Sequence, residues 1–173
     1  MVSEDIAARV RSYIEHQATK SRDAIVALVA KSQSRYIDII SVVNDDVATR
    51  KPAADEWCLR ELTLHVMETQ ASVARMIAET AAGAPPTPEK RGLGMTRTDD
   101  ASAPFSTLVD ELRGVNANML DTIRAMPEPP DLATKPDHPF FGPLNCLEWA
   151  VFQRVHDEDH VQHANKILAA VGS

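Results

Sequence analysis

The sequence predicts an all-α protein, an antiparallel four-helix bundle with a short extra N-terminal helix and long loops. Three observations predict it. Four long stretches place apolar residues three or four positions apart, the period of a helix with one buried face. No stretch shows the sustained alternation between hairpin turns that a half-buried strand requires. The breaks are marked by Pro and Gly, and two of the connections are long. At 173 residues, 44% hydrophobic and 25% charged, the chain fits one globular domain with its own core. Residues 1–173 are therefore read as a single domain, with its core from about 20 to 172 and a leader helix over 1–18.

The leader helix, from Ser3 to about His16, aligns Ile6, Val10, Tyr13 and Ile14. A long helix follows from about Ser21 to Asn44, with Ile25, Leu28, Val29, Tyr36, Ile39, Ile40 and Val43 on its apolar stripe. The stretch between the two lacks Gly and Pro, so one continuous helix is the alternative; a short helix followed by a long one is favoured. After Pro52 the third helix starts between Glu56 and Leu59 and runs to about Ala82, ahead of Gly83 and Pro85-Pro86. Its stripe is Leu62, His65, Val66, Thr69, Val73, Met76 and Ile77. Residues 84–104 carry no periodicity and read as loop. Helix resumes from about Phe105 to Met126 through Leu108, Leu112, Val115, Met119 and Ile123, and Pro127 stops it. Residues 127–143 form a second, Pro-rich connection. Asn145, with Glu148 three positions on, then makes a close variant of the capping box, and the last helix runs to about Val171 before Gly172.

Charge narrows the function classes. Eighteen Lys and Arg against 25 Asp and Glu give a formal charge of -7, the wrong sign for a surface that displaces counterions from phosphates. Nucleic acid is not an expected partner. Acidic residues precede any apolar run at the N-terminus, and no stretch approaches the ~20 apolar residues of a membrane span. A soluble cytoplasmic protein without membrane association is expected. Cys58 and Cys146 lie far apart without CxxC spacing and are expected to be reduced thiols.

The chemistry concentrates in histidines. His156 and His160 lie about 40° apart around the last helix and roughly 6 Å apart along it. Trp149, Phe152 and Ile167 share their side. Two imidazoles on an apolar stripe need partners for their ring nitrogens, and one divalent ion is such a partner. His65, inside the stripe of the third helix, is the best third donor. Satisfied core histidines are the competing reading, and on spacing alone an acidic HDEDH is commonly solvated surface. His163 lies about 20° from His156 in projection, so it is either a replacement ligand or a hydrogen-bonding neighbour outside the ligand set. A carboxylate-bridged di-metal site is disfavoured, because neither helix carries Glu-x-x-His. Glu61 and Glu68 flank His65 one turn to either side; they are exposed helix acids or proton-shuttling neighbours of the site. His16 reads as surface and His138 as loop.

The segment Trp57-Cys58-Leu59-Arg60-Glu61-Leu62-Thr63-Leu64-His65 resembles the Trp-Ser-x-x-Glu-x-x-x-His start of the second core helix in the DinB-like superfamily. His138-Pro139-Phe140-Phe141-Gly142-Pro143-Leu144-Asn145-x-x-Glu148-Trp149, followed by His156-x-x-x-His160, is similar to that superfamily's loop and last helix. The resemblance implies a DinB/YfiT-like bundle, commonly a homodimer, with a three-histidine site for zinc, nickel or iron. Carried over position by position, the ligands are His65, His156 and His160. Members include thiol-dependent transferases, a mycothiol-dependent isomerase and proteins regarded as hydrolases. The resemblance therefore implies a metal-dependent enzyme that activates a low-molecular-weight thiol or water against a small-molecule substrate, with Glu61 or Glu68 as proton acceptor. A non-catalytic metal-containing module for ligand binding or dimerisation is the alternative. Cys58 departs from the family's capping Ser or Thr, and the leader helix lies outside the shared pattern. Phe140 and Phe141 are expected either to wall a pocket or to plug the bundle end.

Overall fold

The structure, a computed structural model, describes residues 4–87 and 102–172. Its elements are α1 (Glu4–Ala18), α2 (Arg22–Ile40), α3 (Asp45–Thr49), α4 (Leu59–Ala81), α5 (Phe105–Arg124), β1 (Asp137–His138), β2 (Gly142–Pro143) and α6 (Cys146–Val171). Residues 88–101, within the first expected loop, lie outside the described residues.

Local chemistry sets most boundaries. Ser21 separates α1 from α2 by accepting the Ala24 N–H at 3.3 Å, a cap that needs neither Gly nor Pro. The second helix stops at Ile40 rather than Asn44, because Asn44 caps the unexpected short α3 by accepting the Val47 N–H at 2.9 Å. α3 in turn serves α5, whose first N–H, on Phe105, is taken by the Asp45 carboxylate. α4 ends in paired bonds from Gly83 N to Thr80 O and from Ala84 N to Glu79 O, both 3.0 Å, with Gly83 at φ 74° as that turn requires. The capping box on α6 forms as expected: Asn145 accepts from Leu147 and Glu148, and Glu148 takes the Asn145 N–H at 2.8 Å.

The four long helices form the bundle. α2 and α4 each pack against both α5 and α6, while α1 lies along α6. Two apolar clusters fill the core. One joins Ile25 and Val29 to Val73 and Ile77, Met119 and Ile123, and Trp149 and Phe152. The other joins Tyr36 and Ile40 to Leu59 and Leu62, Phe105 and Leu108, and Val161 and Ile167. Reading each helix from cluster to cluster gives its direction: α2 and α6 run one way, α4 and α5 the other. The α2/α5 and α4/α6 neighbours are antiparallel as expected. The α2/α6 and α4/α5 neighbours are parallel, because α4 ends beside the first cluster and α5 begins beside the second. Periodicity carries no information about helix direction.

Between the clusters lies a buried polar layer drawn from all four helices. Gln70 Oε1 accepts from Gln33 at 3.3 Å and from Gln153 at 3.4 Å, while Gln70 Nε2 donates to Asn116 at 2.6 Å. Gln153 also donates to Asp157 at 2.7 Å, and Ser32 donates to the other Asp157 oxygen at 3.0 Å. Desolvation pushes the Asp157 carboxyl up to about 7, against those two bonds. Such a layer aligns the helices, since any axial slip strands buried donors and acceptors. Replacing Gln70 with Ala removes the layer's hub. It should lower the unfolding free energy by about 2–4 kcal/mol in urea titrations while retaining helical circular dichroism. An unchanged midpoint would show that the layer carries no stability.

Candidate metal centre

The antiparallel α4/α6 seam brings His65 opposite His156 and His160. One ligand-capable ring nitrogen from each lies within 4.8 Å of the others. The rings stand 5.4 Å (His65–His156), 5.0 Å (His65–His160) and 4.3 Å (His156–His160) apart between centroids. His160 is buried and the other two are half-buried. His156 Nε2 and His160 Nε2 approach to 3.0 Å. Two nitrogens each ~2.1 Å from one ion at about a right angle have that separation, so this pair fits shared ligation.

Burial fixes the protonation state. Desolvation and the neighbouring imidazoles hold His156 well below its ordinary value, and burial pushes His160 down to about 3. Desolvation lowers His65 too, partly offset by the Glu68 charge. Neutral imidazoles are the form that binds metal. The fit is not cost-free. His156 Nδ1 and His160 Nδ1 are buried without hydrogen-bond partners, as are Trp149 Nε1 and Gln153 Oε1. All four atoms lie on α6, so the polar demand gathers along the helix that supplies two of the three histidines.

His163 stays outside the cluster, its ring 6.1 Å from His160 and stacked on Trp57 at 6.2 Å. Trp57 also packs at 4.9 Å from His65. Asp55, Glu56, Trp57, His163 and Lys166 line a shallow cavity of about 340 Å³ that reaches this flank of the cluster.

The two glutamates separate. Glu61 is engaged in capping α4: its carboxylate takes the Cys58 N–H at 2.9 Å and pairs with Lys51 at 2.9 Å. Burial alone would raise its carboxyl, but those partners outweigh it and hold the group below its usual value. Its place in the structure is at the helix start. Glu68 is half-buried, and its charge is felt at His65.

His16 is exposed as expected. His138 is not a free loop residue: it sits in β1, paired with Gly142 of β2, and is 9% exposed. Its burial was not legible, because a two-residue strand has no periodicity. Phe140 is 61% exposed and plugs nothing, whereas Phe141 stacks on His138 at 4.6 Å. Asp157 belongs to the core layer, although the acidic HDEDH stretch suggested solvent. The signal available was that Gln153 and Asp157, four apart, share a helix face with Ala150, Val161 and Ala164.

Fold and site together define a helical-bundle protein with a converged three-histidine centre. The profile of the DinB superfamily matches residues 10–164, and the chain belongs to that superfamily. The match begins inside α1. Among solved structures it is similar to YfiT from Bacillus subtilis, described as "a probable metal-dependent hydrolase with an unusual four-helix bundle topology". That likeness has a TM-score of 0.65 and 12% identity over 87% of each chain. No curated protein matches the chain. Among the described residues no helix is long and apolar enough to cross a membrane.

Two expectations follow. Replacing Glu61 with Ala should cost about 1 kcal/mol in thermal or urea unfolding through the lost cap, with the histidine cluster intact. The metal-free protein should also lose stability on acidification. His65, His138, His156 and His160 all have lowered folded values, so below ~6.5 the unfolded chain binds protons that the folded chain refuses. Asp157, raised to about 7, works in the opposite direction over roughly 4–7, one group against four. The urea midpoint should therefore fall between pH 6.5 and 4.5; a midpoint that rises over that window contradicts the neutral cluster.

Proposed function

We propose that the protein is a metal-dependent enzyme in which His65, His156 and His160 hold one divalent ion, zinc, nickel or iron. It turns water, or a low-molecular-weight thiol as co-substrate, on an electrophilic small molecule. The observation that carries this reading is the convergence of three neutral imidazoles from two helices, with no fourth histidine, cysteine or carboxylate joining the cluster among the described residues. Three protein donors leave coordination positions open, the arrangement of a catalytic rather than a structural site. A divalent ion bound there supplies Lewis acidity and lowers the pKa of a coordinated water towards ~7.

The chain's own residues do the rest. Burial keeps the three imidazoles deprotonated, and Trp57 walls the flank where the cavity lies. Glu68 is the better placed of the two glutamates to accept a proton, since its charge is felt at His65, whereas Glu61 sits at the start of α4. The description of YfiT supports the hydrolytic form of the proposal. The same proposal holds that the protein works in the cytoplasm as a homodimer, on a small molecule rather than on nucleic acid or membrane. The dimer draws support from family resemblance alone, because α1 already packs on α6 through the fully buried Ile14.

The test is elemental analysis of purified protein, followed by ester and amide substrates and by monochlorobimane with candidate thiols. We expect one ion per chain and metal-dependent turnover in one of these assays. Stoichiometric ligand binding without turnover would favour a non-catalytic module. His156→Ala and His160→Ala should each lose the ion while keeping helical content, and His163→Ala should keep it. Full occupancy in either of the first two variants removes that residue from the ligand set.

A further inference from the structure

His138 stands outside the three-histidine cluster and has no part in the reading above. Aromatic rings box it in: Phe141 at 4.6 Å, Phe152 at 4.4 Å and Trp149 at 5.3 Å between centroids. Its Nδ1 accepts the backbone N–H of Phe140 at 3.1 Å and of Phe141 at 3.3 Å. Desolvation pushes its pKa down to about 4, so the ring is neutral near pH 7. A neutral imidazole with an accepting Nδ1 carries its one proton on Nε2. The backbone has thereby selected the tautomer. None of the hydrogen bonds of His138 uses that Nε2–H. Unlike Trp149 Nε1, it is not a fully buried atom without a partner, so it remains open to a ligand.

The position of this donor is held firmly. Arg11 of α1 donates to the carbonyls of Phe141 at 3.1 Å and Pro143 at 2.7 Å, on either side of Gly142. Gly142 turns the hairpin at φ 68°, a conformation that disfavours any side chain. Phe152, against which His138 packs, lies one helical turn before His156, with ring centroids 6.0 Å apart. A charge on His138 is felt at His156. Trp149, also in contact with His138, carries a buried N–H without a partner.

We propose that His138 binds substrate, its Nε2–H donating a hydrogen bond to an oxygen of the small molecule seated at the three-histidine centre. The substrate class is thereby narrowed to compounds with a carbonyl, carboxylate or similar oxygen acceptor apart from the reacting atom. This inference rests on the metal-enzyme reading.

The test uses the full chain loaded with cobalt(II), whose visible spectrum reports ligand binding. The probes are succinate, which carries a second oxygen group, and propionate, which does not. Two variants separate the edges of the ring. His138→Asn keeps a side-chain acceptor for the hairpin N–H groups and removes the distal donor, whereas His138→Gln offers a distal N–H and gives up the hairpin acceptor. We expect the native protein to bind succinate about tenfold more tightly than propionate. His138→Asn should lose that preference with one cobalt per chain retained, and His138→Gln should recover most of it. Nitrogen NMR of the metal-free protein should show the proton of His138 on Nε2. A proton on Nδ1, no succinate preference in the native protein, or an unchanged preference in His138→Asn would each overturn the role of His138 while leaving the metal reading intact. Failure of the native protein to take up cobalt would overturn the metal reading and this inference with it.

Discussion

The antiparallel seam between α4 and α6 is the contact on which the rest depends. It sets His65 opposite His156 and His160, and it alone decides whether three imidazoles can share a point. A slip of one turn, ~5.4 Å, would exceed the whole spread of the cluster. The bundle needs a reference that apolar packing does not supply, because greasy helix faces tolerate sliding better than hydrogen-bonded ones. The Gln70 hub supplies it, five residues along α4 from His65 and bonded to Gln153, three residues before His156. The polar layer and the histidine cluster thus hang from the same two helices, and the register that satisfies one places the other.

This arrangement concentrates cost. Each buried donor or acceptor without a partner costs about 1–3 kcal/mol. The four such side-chain atoms among the described residues all lie on α6, three of them on the histidine and aromatic stripe. Two apolar clusters, each fed by all four bundle helices, offset that expense. Local rules are broken where a fold does its work, and here they are broken along one helix. The neutral state of the imidazoles has the same origin. The desolvation that makes them poor cations leaves their lone pairs free for a metal.

Much of this was legible in the sequence, and the remainder was hidden for physical reasons. The 3.6-residue period located all four long helices, and the i, i+4 spacing of His156 and His160 with His65 on a second stripe identified the cluster. Cap chemistry was readable only in part: Asn145 was visible, while Ser21 and Asn44 set boundaries that composition left open. Helix direction was not readable, since an amphipathic helix has the same periodicity whichever way it runs. Nor was the polar layer. Gln33, Gln70, Gln153 and Asp157 look like surface residues until partners from other helices appear, and those partners are remote in sequence. His138 was missed for a related reason. Its burial comes from Phe141, Trp149 and Phe152 around a hairpin of two-residue strands, which is held by an arginine more than a hundred residues away.

That arginine changes the meaning of the leader helix. An amphipathic segment added to a complete bundle suggests a spare face for a second copy of the chain. Instead, α1 buries Ile14 against the core and reaches Phe141 and Pro143 through Arg11, while Tyr13 lies under the Arg154 guanidinium at 5.1 Å. Two hydrogen bonds from one guanidinium fix a short hairpin more sharply than apolar contact would, because the planar fork sets both distance and direction. The 127–143 connection is therefore braced from both sides, by α6 beneath its aromatic residues and by α1 across its carbonyls. A Pro-rich segment whose regular structure is one short hairpin packs His138 and Phe141 on Phe152, one turn before His156. The family match beginning at residue 10 is consistent with this, since Arg11 falls inside it. The first helix thus reaches the neighbourhood of the histidines through the loop it holds in place.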